Sequence, residues 1–139
     1  MTAPCALLSR EQISLVLQWH VERGVARDYH LPLGSGSLCS FEGRDGSVVV
    51  TVAPGGSGVP KSESMAGLSV DGDDRDVDVL GMAAELGPSS IVIHHHGDDV
   101  GISVQSLVAP VTDPRSLTAL AKYVVTCLRR FDRIAMFGR

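Results

Sequence analysis

Ile91-Val92-Ile93-His94-His95-His96-Gly97-Asp98-Asp99-Val100-Gly101-Ile102-Ser103-Val104-Gln105-Ser106-Leu107-Val108-Ala109 is the stretch on which the fold turns. Two β-rich runs, Ile91–His96 and Val100–Ala109, alternate around Gly97-Asp98-Asp99, which predicts a β-hairpin. A sheet that is apolar on one face must be covered, and the segment that follows is suited to cover it. Asp113 and Pro114 form a helix opening, with an N-cap carboxylate and proline at the first helical position. Leu117, Ala121, Val124, Leu128 and Phe131 then recur at steps of four, three, four and three, while Lys122, Arg129, Arg130 and Arg133 take other positions. This stripe reads as the core-facing side of a surface helix, with a helix–helix interface as the minority case.

Towards the N-terminus, Ser9 with Gln12 has capping-box spacing and opens a first helix carrying Ile13, Val16, Leu17, His20 and Val21, with Gly24 as its stop. Residues 25–36 contain Pro32, Gly34 and Gly36 and read as a connector, with an extended piece at Tyr29–Leu33. Leu38–Phe41 and Val48–Val52 are strands about a turn at Gly43–Gly46, and Met65–Val70 is a third strand beyond a Gly/Ser/Pro-rich loop at 53–64. Val79, Leu80, Ala83, Ala84 and Leu86 suggest a short middle helix over 77–86, ended by Gly87 and Pro88, with an acidic start that suits the helix dipole. The predicted order is α-β-β-β-α-β-β-α: one α+β domain over 1–139, an antiparallel sheet with helices packed on it.

Composition narrows the classes. The 139 residues are 44% hydrophobic and 20% charged, too apolar for disorder, and the chain is long enough for a core without staples. Twelve basic against sixteen acidic residues give a net charge of −4, which argues against a nucleic-acid binder. No apolar run is long enough to span a bilayer, and the first residues have no charged leader or apolar signal region. Cys5, Cys39 and Cys127 are odd in number and scattered, which reads as reduced thiols in a cytoplasmic protein.

The chemical motifs fall short. On a strand His94 and His96 share a face while His95 points away; two imidazoles fall short of the three or four ligands of a zinc site, Asp98 or Asp99 could supply a third, and the expectation is an exposed polar strand end with no metal and no cofactor. The segment 55–62 nearly spells a phosphate-binding loop, but Pro60 stands before Lys61 where the cradle needs a free amide. Asp74, Asp76, Asp78 and Glu85 fall at calcium-loop positions, but Val79 occupies the glycine position of that loop. There is no G-x-S-x-G and no C-x-x-C, so nothing asks for an enzyme and no catalytic residue is assigned.

The element order, with Leu38-Cys39-Ser40-Phe41, Val48-Val49-Val50-Thr51-Val52, the stretch Val100 to Leu107 and Leu117, Leu120, Ala121 and Val124, resembles class I type III secretion chaperones, the CesT-like family, over residues 9–136. The long connector and the Gly/Ser-rich loop depart from that pattern. The resemblance implies a non-catalytic cytoplasmic homodimer that holds an extended N-terminal segment of a secreted effector, with no membrane or nucleic-acid partner. The client would meet Ile13, Val16 and Leu17 of the first helix and Leu38, Phe41, Val48, Val49, Val50 and Val52 of the first strands, and Val79, Leu80, Ala83 and Leu86 would form the dimer interface. The alternative is a roadblock or longin-like scaffold subunit of a regulatory complex, distinguished by the number of strands before the middle helix. A metal-binding or small-molecule enzyme domain comes third.

Overall fold

The structure, a computed structural model, describes residues 3–31, 34–54, 75–108 and 112–137, with the side chains of 29–31, 34–35 and 135–137 left aside. The expected strand at Met65–Val70, the near-miss phosphate loop at 55–62 and Asp74 of the calcium-like series lie outside these residues.

After a 3-10 turn at Pro4–Ala6, helix α1 spans Arg10–Leu17. Seven strands follow: β1 Val25–Leu31, β2 Gly34–Glu42, β3 Gly46–Pro54, β4 Arg75–Val79, β5 Met82–Leu86, β6 Ser90–His95 and β7 Asp98–Ser106. Helix α2, Pro114–Phe137, closes the described chain. The strands form one antiparallel sheet in the order β1-β2-β3-β7-β6-β5-β4. The protein is thus α+β, as expected, and no described helix is long and apolar enough to cross a membrane.

One sheet face is the core. Val48, Val50 and Val52 of β3 stand opposite Val104, Ile102 and Val100 of β7, and those of β7 opposite Ile91 and Ile93 of β6; all are at most 1% exposed. The stripe of α2 covers the β4, β6 and β7 side of this face, and Leu117, Ala121, Val124 and Leu128 are buried as the spacing predicted. The 3-10 turn sits over β1, β2 and β3, and α1 packs on α2. Burying such aliphatic side chains is worth about 1.5–3 kcal/mol each before chain entropy is charged against it.

Four local expectations are corrected. Residues 77–86 are no helix: Val77, Val79, Ala84 and Leu86 alternate with exposed or half-buried Asp78, Ala83 and Glu85 across the β4–β5 hairpin. Leu80 (φ 50°) and Gly81 (φ 91°) form its two-residue turn, both with positive φ, and Asp78 Oδ2 accepts the Gly81 amide at 3.0 Å. The period-2 pattern therefore wins over the helical spacing because the Leu-Gly pair supplies a tight turn. Helix α1 has the expected capping box but ends at Leu17, where Gln18 turns left-handed (φ 60°), so Val21 instead bridges to Gly43. The connector at 25–36 is largely strand. Finally, Cys5 and Cys39 form a disulfide across a Cα–Cα distance of 5.1 Å, against the reading of reduced thiols, while Cys127 stays free.

Candidate functional site

The histidine triplet straddles the sheet at the β6–β7 turn. His94 is on the face away from α2, where it stands opposite Asp99 of β7 and diagonal to Glu85 of β5. Its Nδ1 lies 2.9 Å from Asp99 Oδ1 and its Nε2 3.0 Å from Glu85 Oε2. Ionised carboxylates only accept, so both bonds form when His94 carries both ring protons. Its pKa is accordingly raised above 6.5, first by the Asp99 hydrogen bond and further by Glu85, with partial burial opposing.

His95, one residue on, points to the helix face as strand alternation requires. His96 does not continue the strand. With φ 49° it is the first residue of a two-residue turn completed by Gly97 (φ 82°), so the turn is His96-Gly97 and Asp98 and Asp99 belong to β7. The left-handed backbone swings His96 round to the side of His95. The expected pairing of His94 with His96 is thereby replaced by His95 with His96, whose ring centroids are 4.1 Å apart.

Both of these rings face Asp132, which follows Phe131, the last residue of the stripe on α2. His95 Nε2 is 2.9 Å and His96 Nε2 3.3 Å from Asp132 Oδ2. The hydrogen bond from His95 chiefly holds the Asp132 carboxyl below its usual range, with the charge of both rings adding to it. His95 Nε2, His96 Nε2 and the Asp132 oxygen lie within 4.8 Å of one another, a group able to hold a metal ion. Asp132 was missed in the sequence because thirty-six residues separate it from His96 and it occupies a solvent-facing helical position. Its signal was present nonetheless: it is an acidic residue in a basic stretch, next to Phe131 of the stripe.

The residues expected to meet a client divide by burial. Ile13, Phe41, Val48, Val50 and Val52 are between 0% and 3% exposed in the core, so they are consumed by folding. Val16, Leu17, Leu38 and Val49 are half-buried, with Leu38 and Val49 on the sheet face away from the helices. Of the residues expected at a dimer interface, Val79 and Leu86 are buried in the core, and Leu80 and Ala83 are exposed on the β4–β5 hairpin; the helix face that would have joined them does not exist. Glu85, taken as the last calcium-loop position, is instead committed to His94.

Shallow grooves flank α1. One, of about 440 Å³, is lined by Cys5, Leu8, Arg10, Glu11, Gly24 and Phe41 among others and ends beside the start of β1. Another, of about 560 Å³, runs along Arg10, Ser14, Leu15 and Val21. Leu15 (71% exposed) and Val25 (54%) leave apolar side chains in solvent around them. Strand β1 ends the sheet: it pairs with β2 over seven residues and, among the described residues, has no strand on its outer side. Comparison with family models, curated proteins and solved structures finds no match for this chain.

Proposed function

We propose that this chain is a non-catalytic binding module that captures an extended polypeptide segment on the outer edge of β1, with side chains of the segment entering the groove beside α1. The observation that carries this reading is the outer edge of β1, which has no strand beside it among the described residues, with exposed Val25 at its head next to the groove at Gly24 and Phe41, and exposed Leu15 in the second groove along α1. An edge strand gives a segment backbone hydrogen bonds, and neighbouring grooves select its side chains. In its specific form this is a chaperone that keeps a secreted effector competent for export and works as a cytoplasmic homodimer, as the resemblance to type III secretion chaperones suggests. The roadblock or longin-like alternative loses its discriminator, because residues 77–86 are a hairpin and not the middle helix against which strands were to be counted.

One observation favours a second form of the same reading. The Cys5–Cys39 disulfide fits an oxidising compartment better than the cytoplasm. The same edge would then hold a partner's extended segment outside the reducing cytosol.

The test uses peptides tiling the N-terminal segments of proteins encoded next to this chain. Binding is read by fluorescence anisotropy at low and high salt, and hydrogen exchange of residues 25–31 is followed in the complex. Capture through apolar contacts and strand addition survives salt and slows exchange across β1, and a charge placed at Leu15 or Val25 weakens it. Light scattering of the free protein should give twice the 14.7 kDa chain mass. Binding that vanishes in salt and leaves exchange over β1 unchanged would overturn the edge-capture reading, and a monomer at every concentration would remove the homodimer from it.

A further inference from the structure

We propose that His95, His96 and Asp132 form a Zn²⁺ site that fastens the β6–β7 turn to helix α2 and leaves one coordination position open to solvent. Zn²⁺ binds imidazole nitrogen and carboxylate oxygen at about 2.0–2.1 Å, and a tetrahedron of that size has edges of about 3.3 Å. The two nitrogen-to-oxygen separations, 2.9 and 3.3 Å, are close to that edge, and all three donor atoms fall within 4.8 Å. Opening the 2.9 Å contact and setting the two Nε2 atoms at the same tetrahedral edge admits the ion, with the metal replacing the Nε2 protons that now bridge to the carboxylate.

The surroundings suit such a site. Two imidazoles and one carboxylate, with no thiolate, are a donor set for zinc and its neighbours among the divalent transition metals and not for calcium or magnesium. The side chain of His95 is 12% exposed, that of Asp132 37% and that of His96 72%, so one side of the cluster is walled by protein and the other faces water. Three protein ligands with a water in the fourth position is the arrangement of an open zinc site. The turn itself supports it: without the left-handed backbone at His96, adjacent strand residues would send the two rings to opposite faces.

His94 provides an internal control. It too has two carboxylate neighbours, but Asp99 lies at its Nδ1 and Glu85 at its Nε2. These nitrogens look in different directions, so no single ion is shared by the three groups, and His94 should be dispensable for binding.

The experiment is zinc titration of full-length protein purified without a histidine tag, by isothermal calorimetry, with Co²⁺ absorption as a second readout. One equivalent of Zn²⁺ should bind the wild type, raise its Tm, and give Co²⁺ visible bands of tetrahedral or five-coordinate intensity. His96→Ala, at an exposed side chain whose loss spares the core, should weaken binding at least about tenfold by removing one of three ligands. Asp132→Asn should do the same, and His94→Ala should bind like the wild type. The proposal fails if the wild type takes up no stoichiometric Zn²⁺, if His96→Ala and Asp132→Asn bind unchanged, or if His94→Ala loses the ion to the same degree.

Discussion

Replacing both bridged cysteines, in Cys5→Ala/Cys39→Ala, perturbs the feature that most changes the reading of this chain. The disulfide closes a loop with a sequence separation of 34 residues. For a loop of that size the chain-entropy relation gives about 12.6 cal/mol/K, or about 3.8 kcal/mol at 25 °C, as the advantage lost when the unfolded chain is freed. A chain of this length gains about 0.29 kcal/mol/K of entropy on unfolding, so the loss corresponds to a Tm lower by about 13 °C. The expected fall is not smaller than this, because Cys39 is 0% exposed and trimming its sulfur also thins the core where β2 meets the 3-10 turn. The assay is thermal unfolding of wild type, double variant and Cys127→Ser, each with and without reductant. Reductant should bring the wild type down to the double variant and leave that variant unmoved, while Cys127→Ser should unfold near the wild type. Three alkylatable thiols in the denatured, unreduced wild type, or a double variant melting within a few degrees of it, would refute the bridge and restore the reduced reading of the cysteines.

Two further outcomes follow from the turns and the histidines. Leu80→Asn should stabilise the protein by up to about 1 kcal/mol in thermal melts, since asparagine tolerates the left-handed backbone that leucine resists; a destabilisation, as expected for asparagine in a helix, would contradict the hairpin. His94 has a folded pKa above its unfolded 6.5, so its contribution to stability is fully present below pH 6.5 and is lost as pH rises through the folded value. Unfolding at a series of pH values should show that decline in the wild type and a flatter profile in His94→Gln, with an NMR titration of His94 at or below 6.5 as the contrary result.

Those turns also mark where the sequence could be read and where it misled. The β6–β7 hairpin and the stripe of α2 were legible because alternation and helical spacing each ran long enough to exclude the other period. Residues 77–86 were not, because Val79, Ala83 and Leu86 fit a helix almost as well as Val77, Val79, Ala84 and Leu86 fit a strand pair. What separated the two was a turn whose first residue is a leucine with positive φ, which no turn rule based on Asn, Asp or Gly would select. The split of strand β3 into Val48, Val50 and Val52 on one face and Val49 on the other was equally plain. Which face met the helices was not, since α1, the 3-10 turn and α2 come from opposite ends of the chain.

The histidines extend the same lesson from fold to chemistry. Alternation along β6 places His94 and His95 on opposite faces, and that much follows from strand geometry alone. The third histidine is decided by Gly97: its positive φ completes a two-residue turn, so that His96 leaves the strand and joins His95. Had the turn been Gly97-Asp98-Asp99, His96 would have stayed on the face of His94, and Asp132 would have kept only His95. A shift in the turn thus decides whether His96 shares a face with His94 or joins His95 at α2. In the observed register the His94 cluster ties β5, β6 and β7 together through one imidazole, and the His95 and His96 cluster ties the same hairpin to α2. The two are built from adjacent residues yet hydrogen-bond to different carboxylates, His94 to Glu85 and Asp99 and the other pair to Asp132, which is why substituting His94 and substituting His96 should have separable effects, one on the pH dependence of stability and the other on zinc.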